Sequence, residues 1–230
     1  MPRSAHSALG NKKKSVSSSS SSSNDSMNGP AKRHKNNRNH WADGLLKFLD
    51  DPTDPAVVYL DDEFIAVKDK FPKAKCHYLV MPRDTKFRSL NDLEGRGDMV
   101  LLRKMEAVAN KLVHDQNETG DPTLQFRYGF HAVPSLNHLH MHVISQDFDS
   151  PHLKNKKHWN SFTTTFFVPV EEMQIAVTKG KIDFTYRENR LKDGLKCHRC
   201  GKMQTNMPQL KQHISCCNYD ATKEFDEYSD

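Results

Sequence analysis

The 230-residue chain has no apolar run approaching the roughly 20 residues that cross a bilayer. Nor does it have the apolar core of a secretory signal near its N-terminus. Membrane insertion and export are therefore not expected. It has only five cysteines, and four of them crowd between residues 197 and 217. That distribution excludes a disulfide framework and suits a metal site in a reducing compartment, cytosol or nucleus. Hydrophobic residues make up only 36% of the chain, but the deficit is local: residues 1–40 hold almost no apolar cluster. No internal repeat is visible.

The net charge of +5 is uneven along the chain. Residues 1–40 carry eight Lys and Arg against one Asp, whereas residues 41–147 carry 13 basic and 17 acidic residues. Residues 148–217 carry 12 basic against 6 acidic, and the last 13 residues carry one against five. Positive charge in a tail and in the C-terminal third suits a polyanion, because clustered Lys and Arg release its counterions. In the tail, Lys12–Lys14 and the group Lys32, Arg33, Lys35 and Arg38 flank a serine tract from Ser15 to Ser23. Such a tract buries too little apolar surface to offset the entropy of ordering. Residues 1–38 are expected to be a disordered basic tail. Its two clusters read as a nuclear localisation signal or, alternatively, as a solvated linker.

Folded structure is expected from about Trp41. Trp41, Leu45, Phe48 and Leu49 recur at helical spacing, and Asp51-Pro52 ends that helix. Strands are expected at Val57–Leu60, Phe64–Lys68 and His77–Met81, with Cys76 a buried strand residue without chemistry. Met99, Leu102, Met105, Val108 and Leu112 mark a long helix. Leu124–Phe130, His138–Ile144 and Phe162–Pro169 read as strands, and Glu171–Thr178 as a short helix. The expected fold class is α+β around an antiparallel sheet.

His138-Leu139-His140-Met141-His142-Val143-Ile144 alternates with period two. In a strand this puts three imidazoles on one face and Leu139, Met141 and Val143 on the other. Three readings follow. The histidines face solvent or satisfied partners; they bind zinc; or they perform nucleophilic catalysis at phosphorus. Adjacent same-face positions on one strand seldom all reach one ion. Neutral imidazole, with an ordinary pKa near ~6.5, is a good nucleophile at neutral pH, and neighbouring imidazoles can bind phosphate oxygens and move protons.

The stretch resembles the pattern of the histidine-triad superfamily of nucleotide hydrolases and transferases. Asp69 followed by His77 in a strand ending Val80-Met81-Pro82 is similar too. Gly129–Ser135, Ser145–Pro151 and Lys154–Phe162 extend the resemblance to the aprataxin family, the DNA-repair branch. The resemblance implies a histidine-triad fold over residues 39–170. It makes His140 the nucleophile that becomes adenylylated. His142 orients it and supports the transition state, and His138 shapes the strand and touches the phosphate region. Asp69 accepts hydrogen bonds from the ribose, Ser135 binds a phosphate oxygen, His77 and His131 line the phosphate site, and Lys73 lies close to the nucleotide. His131 also assists the leaving group. Taken singly, His77 could be a buried structural histidine, Asp69 a turn cap, Ser135 a turn serine and Lys73 a surface lysine.

Cys197-x2-Cys200, then His213 after twelve residues and Cys217 after three, has zinc-finger spacing. Residues four apart share a helix face, so His213 and Cys217 fit one ion. Cys216 is a spare thiol with the poorer spacing. Leu210 is the expected core residue. Zinc is the expected cofactor, structural, with no catalytic metal; the finger region is taken as residues 171–220 and the acidic tail as 221–230. Relatives usually have His as the fourth ligand, so Cys217 is a departure. The forkhead-associated segment of animal relatives has no counterpart in these residues, and phosphopeptide recruitment is not expected.

The implied activity is hydrolysis of AMP from 5′-adenylylated DNA left by abortive ligation, with AMP as product and a related action on 3′-guanylylated DNA. Nuclear location and a monomer are expected. DNA contacts are assigned to Lys154, Lys156, Lys157, Lys202 and Lys211. Trp41 either stacks on an exposed base pair or packs in the core. The rivals are a small-molecule hydrolase of dinucleotides or adenylylated amines and a non-enzymatic DNA-binding finger protein.

Overall fold

A computed structural model of the chain describes residues 42–217. The expected N-terminal tail, Trp41 and the acidic tail lie outside the described residues. The order of elements is α1 (Lys47–Asp50), β1 (Val57–Leu60), β2 (Phe64–Lys68), β3 (His77–Pro82), α2 (Gly95–Thr119), β4 (Phe126–His131), β5 (Met141–Ser145), α3 (Lys156–Thr163), β6 (Phe167–Pro169), α4 (Val170–Lys179), β7 (Leu195–Lys196), β8 (Met203–Gln204) and α5 (Met207–Cys216). Short 3₁₀ stretches occupy Leu90–Asp92 and Thr185–Lys192.

The α+β expectation holds. Six strands form one sheet in the order β1-β2-β3-β5-β4-β6, with every neighbouring pair antiparallel. Helix α2 carries Leu102, Met105, Val108, Ala109 and Leu112 on its buried side, three or four residues apart as helical geometry requires. They meet Leu139, Met141 and Val143 and, from α4, Met173, Ala176 and Val177 in one core. The chain after residue 170 therefore continues the helical layer over the sheet as far as Phe184. The finger itself is the β7–β8 hairpin with α5. On the opposite face of the sheet, Leu45 and Phe48 pack on Ile65, Val67, Leu79 and Met81.

Three local expectations change. The first helix shrinks to Lys47–Asp50 after a run of turns. Phe162 lies in α3 rather than a strand, because Asn155 caps a new helix by accepting from His158 N–H, and only Phe167–Pro169 pairs with β4. The strand expected at His138 begins at Met141. His138 has φ of 89°, the left-handed region that side chains other than glycine seldom adopt. It leaves the ladder because its N–H and that of Leu139 donate to Arg88 and Phe87 carbonyls, each at 2.8 Å.

A third core joins the finger to the sheet. Ile144, Phe148, Trp159 and Phe167 pack with Leu195, Leu210 and Ile214. Trp159 is fully buried, and its indole N–H donates to Lys196 O at 3.0 Å.

Candidate active site

The register of β3 on β5 opposes His77 to Ile144 and Leu79 to His142, so His77 and His142 are diagonal neighbours on one face. Gly129 opposes His142 from β4. A Cβ at Gly129 would come within 2.4 Å of Val168 O, so only glycine lets β6 close on β4 here. His131 ends β4 with its ring centroid 4.2 Å from that of His142. Phe162 reaches in from α3 and sets its edge against His77 and His142, both at 5.2 Å, and tilts against His131 at 4.7 Å. Sequence patterning does not single out Phe162; its only signal is its place in the Lys154–Phe162 match.

Fixed backbone groups determine where the imidazole protons sit. Lys73 N–H donates to His77 Nδ1 at 3.3 Å. Asp69 Oδ2 is 3.6 Å from the same nitrogen, too long for the competing bond. The proton of His77 therefore sits on Nε2, which donates to His142 Nδ1 at 2.9 Å. His142 is left with Nε2–H, buried and without a partner among the described residues. His140 Nδ1 faces the carbonyl of His138 at 2.8 Å. A carbonyl only accepts, so Nδ1 carries the proton and the lone pair is on Nε2. By the same argument His138 Nε2–H donates to Pro82 O at 2.7 Å. That bond takes its donor, so a neutral His138 has no N–H for a phosphate and instead holds the backbone that orients His140.

All these rings are neutral at neutral pH. The His77 pKa falls to about 4, chiefly through burial; Asp69 opposes the fall, and Lys73 and His140 add to it. Burial also carries His131 and His142 well below the usual histidine value and lowers His140 and His138. Desolvation disfavours the charged form.

The loop between β2 and β3 carries the remaining expected residues. Asp69 Oδ1 accepts Phe71 N–H at 2.7 Å, closing the turn. Lys73 is half-buried, its ammonium donating to Phe71 O, and burial lowers its pKa against an opposing pull from Asp69. Ser135 lies exposed on the bend before His138, with no side-chain hydrogen bond among the described residues.

Cys197, Cys200, His213 and Cys217 form a second cluster, with ligand atoms all within 4.8 Å of one another. Cys197 and Cys217 sulfurs are 3.9 Å apart, and Cys200 Sγ is 3.1 Å from His213 Nε2. Tetrahedral zinc with ~2.3 Å bonds to sulfur puts two sulfurs about 3.8 Å apart, so this donor set fits zinc. Gly201, at φ of 72°, makes the knuckle turn and donates to Cys197 O at 3.0 Å. Cys216 points away, its thiol on Gln212 O and His213 O.

Lys154, Lys157 and Lys202 are exposed, with no side-chain amine bond among the described residues. Lys156 donates to Lys192 O at 2.8 Å while staying exposed. Lys211 differs from the expected free cation: it is half-buried and donates to Ser150 O at 2.7 Å.

The profile described as scavenger mRNA decapping enzyme C-term binding matches residues 44–158, and that of a C2HE / C2H2 / C2HC zinc-binding finger matches residues 163–218. Aprataxin of Gallus gallus is 43% identical over 182 residues, covering 78% of this chain and 56% of its own. An aprataxin-like protein of Schizosaccharomyces pombe is 30% identical over 218 residues, covering 85% of this chain and 86% of its own. The chain spans about half the length of the animal relatives it matches, 56%, 53% and 48% for three of them. A crystal structure of the aprataxin ortholog Hnt3 in complex with DNA superposes with a TM-score of 0.65 at 30% identity, covering 81% of this chain and 95% of that one. Hnt3 in complex with DNA and guanosine gives 0.56 at 29% identity, covering 81% and 96%.

Proposed function

Because the chain belongs to the aprataxin family of histidine-triad hydrolases, we propose that it is a DNA 5′-adenylate hydrolase of DNA repair. The observation that carries the chemistry is the bond from His140 Nδ1–H to His138 O, which fixes a lone pair on His140 Nε2. In the first step Nε2 attacks the adenylate phosphorus. An N–P bond forms while the P–O bond to the DNA 5′-phosphate breaks, and the electron pair leaves with that phosphate. In the second step water attacks the same phosphorus, the N–P bond breaks, AMP departs and the imidazole regains its lone pair. Two displacements replace one difficult one.

The phosphate leaving group needs little protonation, so charge stabilisation outweighs acid catalysis. His142 Nε2–H, held ready by the bond from His77, is assigned to a non-bridging oxygen of the transferring phosphoryl group. His131, whose Nε2 is also buried without a partner among the described residues, is assigned proton transfer at the leaving group or the water. Lys73 adds positive charge near the phosphates, Asp69 accepts from the ribose and Ser135 contacts a phosphate oxygen. His138 is a positioning residue. The four-residue cluster would hold zinc, whose binding contributes folding free energy to so small a unit; the hydrolytic steps use side chains alone.

DNA as substrate is supported by the ortholog crystallised with DNA and by the positive C-terminal third. The complex with DNA and guanosine supports a second activity on guanylylated DNA 3′ ends. The basic tail clusters support nuclear location, and a finger packed on the sheet unit supports a monomer.

The test compares nicked DNA bearing a labelled 5′-adenylate with a diadenosine polyphosphate. Faster turnover of the DNA, and acid-stopped reactions yielding AMP bound to His140, are expected. His140→Ala should abolish turnover and keep DNA affinity. Preference for the dinucleotide, or label on another residue, overturns the reading.

A further inference from the structure

Loop 146–151, which follows β5, is gripped from two sides. On the finger side His198 Nε2–H donates to Gln146 O at 3.1 Å, and Arg199 Nη2 approaches the same oxygen at 3.4 Å. Arg199 Nη1 donates to Cys217 O at 2.8 Å, so one guanidinium joins a cluster cysteine to the end of the catalytic strand. Lys211 completes this side through Ser150 O at 2.7 Å.

On the other side the same loop holds the β2–β3 loop. Ser150 Oγ donates to Pro72 O at 2.5 Å, and Asp147 Oδ1 accepts Lys75 N–H at 3.0 Å. Ser145 Oγ accepts Cys76 N–H at 3.0 Å and donates to the Asp147 carboxylate. Lys73 lies between the two anchored residues Pro72 and Lys75. Its N–H is the donor that selects the His77 tautomer and so aims His142.

We propose that the finger braces the catalytic loop through residues 146–151, and that Lys211 and His198 are positioning residues for hydrolysis itself. This rests on the hydrolase reading above for its substrate. Removing a brace lets Pro72–Lys75 drift, lengthens the 3.3 Å separation between Lys73 N–H and His77, and frees that ring to take the other tautomer. A lysine that only neutralised DNA phosphate would have no effect on a substrate without DNA.

The experiment uses the full zinc-loaded chain and an AMP-linked amine containing no DNA. Lys211→Ala should lower kcat about tenfold or more with little change in KM, since small misplacements of catalytic groups are costly. Zinc content should stay at one ion per chain, and Lys211→Arg should restore most of the rate. Ser150→Ala, outside the finger, should reproduce the loss. In proton–nitrogen spectra of the imidazoles, both Ala variants should shift the His77 and His142 ring signals. Wild-type kcat in Lys211→Ala with unmoved ring signals overturns the brace, as does a loss that appears only with adenylylated DNA. Wild-type chain that turns over neither substrate sinks the hydrolase reading instead, and the ring signals then still decide the brace.

Discussion

His77 Nε2 lies 2.9 Å from His142 Nδ1, although 65 residues separate the two. The bond commits both nitrogens and leaves His142 with one outward donor. His77→Ala should therefore lower kcat about 100-fold, within the range for losing one positioned proton-handling group, with AMP affinity nearly unchanged. His77→Gln, whose amide can donate to His142, should recover part of the rate. Equal activity in wild type and His77→Ala would remove His77 from the mechanism.

Burial lowers the pKa of every histidine in the site, His77 to about 4. Below the ordinary histidine value of ~6.5 the unfolded chain takes up protons that the folded chain refuses, so stability falls as pH drops from there toward the folded value. Thermal unfolding should show a flat plateau above that point and a declining Tm below it. The acid limb of kcat/KM, which reports the free enzyme, should lie below ~6.5 for the same reason. An acid limb above 7 would contradict neutral, buried imidazoles.

Cys217→Ala should lose the zinc and unfold the finger, whereas Cys216→Ala should keep one zinc per chain. The Cys216 thiol already faces Gln212 and His213 carbonyls, away from the cluster. Metal analysis of the two purified variants decides; zinc missing only from Cys216→Ala would reverse the ligand assignment.

Lys156→Ala with Lys157→Ala should weaken DNA binding and flatten its salt dependence by about one unit of slope for each phosphate no longer neutralised. Hydrolysis of the small AMP-linked amine should hardly change, in contrast with Lys211→Ala. Equal loss of both activities would place these lysines in the fold or the AMP pocket.

Phe162 fills the floor beneath three imidazoles and is 4% exposed. Phe162→Ala should cost about 3–5 kcal/mol of stability as a buried large-to-small change. Chemical denaturation measures it. Phe162→Leu should be milder in stability yet still reduce kcat, because leucine has no ring edge to hold His77 and His142 in place. A Phe162→Leu variant with full kcat would make the residue purely structural.

Much is legible in the chain itself. Period-two alternation assigns Met141 and Val143 to the core and His142 to the other face, since a strand permits no other division of faces. The three- and four-residue recurrence from Leu102 to Leu112 marks α2, and Cys-Cys-His-Cys spacing selects all four members of the finger cluster. These are properties of a few consecutive residues, which local geometry decides. The left-handed turn at His138 is not legible, because Phe87 and Arg88, some fifty residues earlier, supply the carbonyls that draw it from the ladder. Nor is the placement of Phe162 in a helix, or the diversion of Lys211 from solvent to Ser150 O. Which nitrogen of each imidazole carries its proton depends on distances of about 3 Å between segments remote in sequence. Spacing reveals which residues share a face; only the packed chain determines which donor meets which acceptor.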